Sequence, residues 1–293
     1  MKKLTAIIPT YNRKDCIVRL LEMLRTQEVK GMELSIIVVV DGSTDGTQET
    51  IRSRFPGVIM IEGDGHWWWT RSVNEGCKQA IKNGTDAVLL LNDDIQLESH
   101  YFRNLLTAAQ QEPGAVIGSL NVTAEKEKRI FFSGAPRYQW CKGKLQRYHP
   151  FLSPYDANLS GLHPSVVLPG RGLWIPVEVM EEIGFFDEKS LPQYKADYDF
   201  VLRANKYGIK TLISWDTIVY VQTAATGKGA TFTKQSFFSF LTSLFKKNTR
   251  TNLSQNFLYY IRYYPIWILP IFPLTVFMII VRQLFSFLKE KKY

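Results

Sequence analysis

The chain has 293 residues, 45% hydrophobic and 22% charged, with a formal net charge of +9. That length accommodates one large α/β domain or two modest ones, and the composition excludes a disordered, fibrous or disulfide-rich protein. Cys16, Cys77 and Cys141 are scattered without CxxC spacing, so reduced thiols are expected rather than a disulfide framework or a zinc site.

The basic start MKKLTAIIPTYN leads into an apolar run broken by Pro9, so no secretory signal is expected. LTAIIPT (4–10) reads as a strand and DCIVRLLEMLRTQ (15–27) as an amphipathic helix. LSIIVVVDGS (34–43) is a second strand, DGTQETIRSRF (45–55) a helix and VIMIEGD (58–64) a third strand. RSVNEGCKQAIKNG (71–84) is a helix, and AVLLLNDD (87–94) a fourth strand. Near-continuous β-branched runs, alternating with helices, predict a mainly parallel, doubly wound α/β sheet covered on both faces. Ligands of such sheets bind outside the carboxyl ends of the strands. Polar residues collect at those ends: Thr10, Tyr11 and Asn12, then Asp41, Gly42 and Ser43, then Asp64 between two glycines, then Asn92, Asp93 and Asp94. Four strand ends on one rim predict one site.

From about 120 to 230 the pattern loosens, then gives LPGRGLWIPVEVMEEIGFFDE and an acidic cluster ahead of a helix, Phe200 to Tyr207, with Gly208 at its end. Beyond about 235, SFFSFLTSLFKKNTR (236–250) reads as a basic amphipathic helix. YYPIWILPIFPLTVFMIIV (263–281) has about the ~20 residues of a bilayer span, but Pro265, Pro270 and Pro273 interrupt it. Interleaved basic and apolar residues favour a membrane surface over nucleic acid, so an interfacial or re-entrant helix pair is expected, with a kinked span or a buried tail as alternatives. This divides the chain into 1–230 and 231–293.

The strand-end NDD carries the clearest chemistry. Adjacent carboxylates at the end of a buried strand need a compensating cation. Hard cations such as Mg²⁺ or Mn²⁺ take one or two carboxylates and complete their shell with water and phosphate oxygens. Asn-Asp-Asp is also ordinary turn chemistry, so this signal alone is not decisive. Asp41 sits on the same rim, where a base or ribose would meet it, although VVVDGSTDGT also reads as a turn capping the next helix. Asp197 and Asp199 precede a helix, whose dipole favours negative charge there, and either suits a general base. The loop GDGHWWWTR leaves the third strand on this rim, and tryptophan faces suit the apolar C–H faces of sugars. Neither G-x-G-x-x-G nor a P-loop is present.

Taken in order, AIIPTYNR, VVVDGSTDGT, LLLNDDI, GFFDE and ADYDFVLRANKYG resemble family 2 glycosyltransferases with the GT-A fold, over roughly residues 4 to 225. The loop of tryptophans together with LNDD and ADYDF is most similar to a bacterial rhamnosyltransferase-like branch. The resemblance implies that Thr10, Tyr11, Asn12, Asp41, Asp64 and Asp93 bind nucleotide. It places Asp94 and Asn92 at a divalent cation, Mg or Mn, and Asp197 as the base with Asp199 and Arg203 supporting it. Trp68, Trp69, Arg71, Gly170, Arg171 and Gly172 are assigned to the sugar or acceptor. The family's acidic residue before the base is Ala196 here, and its late histidine is replaced near Gln222, which leaves a third metal ligand open. The implied activity is inverting transfer from a nucleotide-diphosphate sugar, with dTDP-rhamnose as the branch-level donor. The acceptor would be a glycan or polyprenyl-linked hydroxyl in surface polysaccharide synthesis, at the cytoplasmic face of a bacterial inner membrane. No nucleic acid is expected, and oligomerisation is open. A nucleotidyltransferase, or an inactive glycosyltransferase-like binding protein, is the rival reading.

Overall fold

The computed structural model describes residues 2–27, 29–222 and 252–271, with scattered positions between 242 and 281. Strands β1 (Lys2–Thr10), β2 (Met32–Asp41), β3 (Ile59–Gly63) and β4 (Ala87–Leu90) are joined through helices α1 (Lys14–Arg25), α2 (Thr47–Arg54) and α3 (Trp68–Lys82). They pair in parallel, in the order β3-β2-β1-β4. This is the predicted half of the sheet.

The other half departs from a mainly parallel reading. Next come β5 (Ile95–Leu97), α4 (Tyr101–Gln111), β6 (Val116–Thr123) and β7 (Ile130–Phe132), followed by the hairpin of β8 (Arg137–Gln139) and β9 (Lys144–Gln146). Strands β10 (Leu162–Pro164) and β11 (Leu173–Pro176), helices α5 (Val177–Ile183) and α6 (Ala196–Lys206), and β12 (Thr211–Val221) complete this part. Strand β11 lies between β4 and β6 and runs against both, and β10 runs against β12, so the sheet is mixed. All four residues of β11, LWIP, are buried. So short an apolar run has no period from which to read a partner or a direction; the gap between β4 and β6 sets both.

The continuous apolar runs have the expected cause, because both sheet faces are covered. Ile7, Ile37 and Val39 point to one core with Val73, Cys77, Met180 and Phe200. Ala6, Ile8, Val38 and Val40 point to the other, with Leu20, Leu21, Ile51, Phe102 and Leu105.

Two helices start earlier than expected. Helix α3 begins at the second tryptophan and α6 at Ala196, so Asp197 and Asp199 lie inside the first turn of α6. Toward the C-terminus, helix α7 (Leu253–Tyr263) buries Tyr259, Tyr260 and Tyr263 in the first core, and a 3₁₀ segment follows at Ile266–Ile271. Among the described residues no helix is long and apolar enough to cross a membrane. Most of the expected amphipathic helix at 236–250 lies outside them. Arg262, just ahead of the apolar stretch 263–281, pairs with Asp187 at 2.6 Å and Asp199 at 3.2 Å.

Candidate active site

Strand β4 delivers the chain to the rim, where Asn92, Asp93 and Asp94 turn before β5. Asp93 and Asp94 are 6% and 4% exposed, so both carboxylates have lost most of their water. The compensation comes from the loop after β1. Arg13 Nη1 reaches Asp93 Oδ1 at 2.9 Å and Asp94 Oδ2 at 3.2 Å, and the Thr10 hydroxyl donates to Asp93 Oδ2 at 2.8 Å. Burial still pushes the Asp93 carboxyl up to about 6, against the opposing pull of Arg13. Asp94 Oδ1 is buried without a hydrogen-bond partner. A buried carboxylate oxygen left in that state fits an added cation. Among the described residues no group of three His, Cys, Asp or Glu could hold a metal, so the protein supplies a partial shell suited to an ion that brings phosphate oxygens. The backbone N–H of Gln222 donates to the Asp94 carbonyl at 3.3 Å, which sets the end of β12 beside the pair.

Asp41 is used differently from a ligand-facing acid. Its Oδ1 accepts the N–H of Gly65 at 2.8 Å, and its Oδ2 accepts those of Trp67 at 3.0 Å and Trp68 at 2.8 Å. One carboxylate therefore anchors the whole tryptophan loop and caps the start of α3. Asp64 is exposed, and its carboxylate accepts the His66 N–H two residues on. Asn12, at φ +49°, joins two rim loops by donating its N–H to the Ser43 hydroxyl and accepting the Thr44 N–H at 2.7 Å. Tyr11 stands 56% exposed at the lip.

The three tryptophans separate cleanly. Trp67 and Trp69 pack against the core, and Arg71 lies 4.7 Å over the Trp67 ring. Trp68 adopts φ +53°, an outlying conformation for a bulky residue. Trp69 spans the site. Its Nε1 donates to Asn92 Oδ1 at 3.3 Å, its backbone N–H donates to Gln193 Oε1 at 2.9 Å, and its ring lies on the backbone of Gly170, where a Cβ would overlap it. The N–H of Gly170 in turn donates to Asp197 Oδ2 at 3.0 Å, and the N–H of Tyr198 to Asp197 Oδ1 at 2.9 Å. Asp197, Gly170, Trp69 and Asn92 thus form a continuous wall running to the carboxylate pair.

Other candidates hold the scaffold. Gly172, at φ +78°, donates its N–H to Leu90 O at 2.8 Å, which binds this loop to the end of β4. Arg171 lies 5.3 Å over the Phe131 ring. Asp199 is fully buried against Arg203, Arg262 and Tyr263, away from Gly170. Arg203 also donates to the carbonyls of Ile183 and Phe185. Sequence reasoning missed Arg13 and Gln193. Arg13 stands in the quoted AIIPTYNR motif, where an acidic partner across the rim was the available signal; LPQYKAD held no comparable signal for Gln193.

The sequence pattern of glycosyl transferase family 2 matches residues 5–161, more than half of the chain. This chain belongs to glycosyl transferase family 2. Over 139 residues it is 27% identical to the GalNAc(5)-diNAcBac-PP-undecaprenol beta-1,3-glucosyltransferase of Campylobacter jejuni, covering 46% of this chain and 43% of that protein. The family 2 chain thus matches less than half the length of that relative. Its fold is similar to that of GalNAc-T7, solved with UDP, GalNAc and Mn²⁺: TM-score 0.63, 13% identity, over 76% of this chain and 44% of the other. It is also similar to a mannosyltransferase from Pyrobaculum calidifontis in complex with GDP-Man and Mn²⁺: TM-score 0.58, 16% identity, over 94% and 69%. The family and these likenesses support a GT-A-like α/β fold with a mixed sheet.

Two outcomes follow from the geometry. Asp41→Ala should cost roughly 2–4 kcal/mol, since it strips three N–H groups of a charged acceptor. Acrylamide quenching of tryptophan fluorescence should rise with it, and unchanged quenching in the folded variant would show another anchor for the loop. A raised Asp93 pKa means that the proton is held up to about pH 6, and a cation must displace it. Mn²⁺ affinity with a nucleoside diphosphate, measured by calorimetry, should therefore fall as pH drops from 7.5 through 6 to 5.5; a flat profile would separate Asp93 from cation binding.

Proposed function

We propose that this chain is an inverting, divalent-cation-dependent glycosyltransferase that moves a sugar from a nucleotide-diphosphate donor to a hydroxyl of a glycan or lipid-linked acceptor. The observation that carries the reading is the buried Asp93–Asp94 pair at the strand-end rim, with Asp94 Oδ1 unpartnered and Asp197 joined to it through Gly170, Trp69 and Asn92. Thr10, Tyr11, Asn12 and Asp64 supply the nucleotide side of the rim, Asp41 acts there through the loop backbone it holds, and Asp94, with Asp93 beside it, would hold Mg²⁺ or Mn²⁺. When bound, the cation neutralises charge on the departing diphosphate.

Asp197 takes the acceptor hydroxyl proton as that oxygen attacks the anomeric carbon from the face opposite the diphosphate, a contribution worth ~10²–10⁴-fold. Its two N–H donors, Gly170 and Tyr198, hold the carboxylate in place. Trp69 and Gly170 form the wall against the sugar, and Arg71 and Arg171 border it. The donor assigned by branch resemblance is dTDP-rhamnose; the related folds solved with UDP and GDP-Man set the competitors for a screen.

Asp197→Asn should lose transfer by ~10²–10⁴-fold and keep nucleotide binding. Asp94→Ala should weaken Mn²⁺-dependent nucleotide binding itself. A thermal-shift panel of UDP-, GDP- and dTDP-sugars with Mn²⁺ identifies the donor, since a ligand at ~100 Kd adds about 2.7 kcal/mol. Near wild-type turnover in Asp197→Asn would remove it as the base.

The acceptor reading draws on the Campylobacter relative, whose name specifies a PP-undecaprenol-linked substrate. It draws also on the chain beyond residue 230. Phe257 and Ile261 stand one turn apart and exposed on α7, and Ile266 and Trp267 are 86% and 79% exposed. With the basic residues of this part of the sequence, these suit an anionic bilayer surface on the cytoplasmic side. Wild type should co-float with anionic phospholipid vesicles, and Ile266→Glu with Trp267→Glu should not; equal flotation would place the contact elsewhere.

A further inference from the structure

Lys195, Asp197 and Asp199 alternate across the start of α6, and the outer two are both gripped by α7. Lys195 is half-buried and sits at φ +68°, in the left-handed region that a lysine seldom occupies. Its Nζ donates to Asn256 Oδ1 and lies 4.6 Å and 4.8 Å from the ring centroids of Tyr259 and Tyr260. Burial pulls its pKa down to about 7, while the two ring faces and the amide oxygen act in the opposite sense, holding the ammonium in place of water.

On the other side of Asp197, Asp199 is fully buried, and its Oδ1 accepts the Tyr263 hydroxyl at 2.7 Å and Arg262 Nη1 at 3.2 Å. The same hydroxyl reaches the Asp199 carbonyl at 3.0 Å. Arg262 also pairs with Asp187, which ties in the loop ahead of α6.

A helix held by packing alone needs none of this. A left-handed lysine and a buried carboxylate are each unfavourable in isolation, and such features persist only where the surroundings over-determine them. Here both flank one residue, and both take partners from one helix, α7, while Arg203 of α6 itself donates to the other oxygen of Asp199 at 3.2 Å.

We propose that α7 positions Asp197 for the reaction, with Lys195, Asp199 and Tyr263 as positioning residues that lock the first turn of α6 from both sides. This rests on Asp197 being the base. The tail helix is then part of the transfer apparatus, and its role extends to a water-soluble acceptor as well as one held in a bilayer. The reason is geometric, since a displacement of about 1 Å at a reacting group costs on the order of 10²-fold in rate.

The test uses the full chain with the donor found by the nucleotide-sugar panel and a water-soluble acceptor. Tyr263→Phe removes one hydroxyl, and Lys195→Met removes the ammonium at similar volume. Each should lower kcat roughly 10- to 100-fold, with the donor KM and the affinity for Mn²⁺ with the matching nucleoside diphosphate changed less than about threefold. Amide exchange at 196–199 should quicken in both variants while that of β1 and β2 does not. Unchanged kcat and unchanged exchange in folded variants would overturn the proposal, as would a parallel loss of kcat, nucleotide affinity and thermal stability, which is the pattern of general unfolding. Asp197→Asn is measured alongside. If it keeps turnover, the base reading fails and α7 has no base to position; if it is inactive while Tyr263→Phe and Lys195→Met match wild type, the positioning role alone fails.

Discussion

Two adjacent carboxylates, Asp93 and Asp94, are buried at the end of the central strand β4, and the surrounding rim is built to accommodate their charge. Left alone, such a pair would repel and protonate. Arg13 crosses from the neighbouring strand end and bonds to both, Thr10 bonds to one, and one oxygen of Asp94 is left without a partner. The protein's own residues therefore supply incomplete compensation, which a cation carrying phosphate oxygens would fit. The parallel pairing of β1 and β4 brings Thr10 and Arg13 alongside the acids.

Charge is also what turns the tryptophan loop into a wall. Asp41 accepts three backbone N–H groups from Gly65, Trp67 and Trp68, so the loop is shaped by one acid before any ring packs. The rings then divide the work: Trp67 and Trp69 lean on the core, and Trp69 reaches across to Asn92 and Gly170. Gly170 tolerates that ring because it has no Cβ, and its N–H faces Asp197. An indole thus links Asn92 at the end of β4 to the Gly170 backbone that holds Asp197. Successive tryptophans meet different needs because the helix begins among them, with Trp68 in a left-handed conformation that breaks the regular turn.

The C-terminal helix α7 gives the mixed half of the sheet its outer support. Its tyrosines join the core shared with α6, while Phe257 and Ile261 face outward. One face of this helix thus lies in the core shared with α6, and another carries exposed apolar groups.

The parallel half of the fold was legible in the sequence, because strands buried on both faces must be apolar throughout and their polar ends must fall on one rim. The strand-end position of Asp94 and the place of Asp197 at a helix start were legible from their motifs, and the three tryptophans as residues out of place in solvent. The direction of β11 was not, since LWIP has no period and its partners are over fifty residues away along the chain on one side. Nor was the use of Asp41 or Asp199 legible, because a carboxylate looks the same in sequence whether it meets a ligand, a loop's N–H groups or a tyrosine hydroxyl. Composition and periodicity determined the layers and the rim; only tertiary structure decided which acids face inward, because hydrogen-bond partners are set by contacts between segments that the sequence keeps far apart.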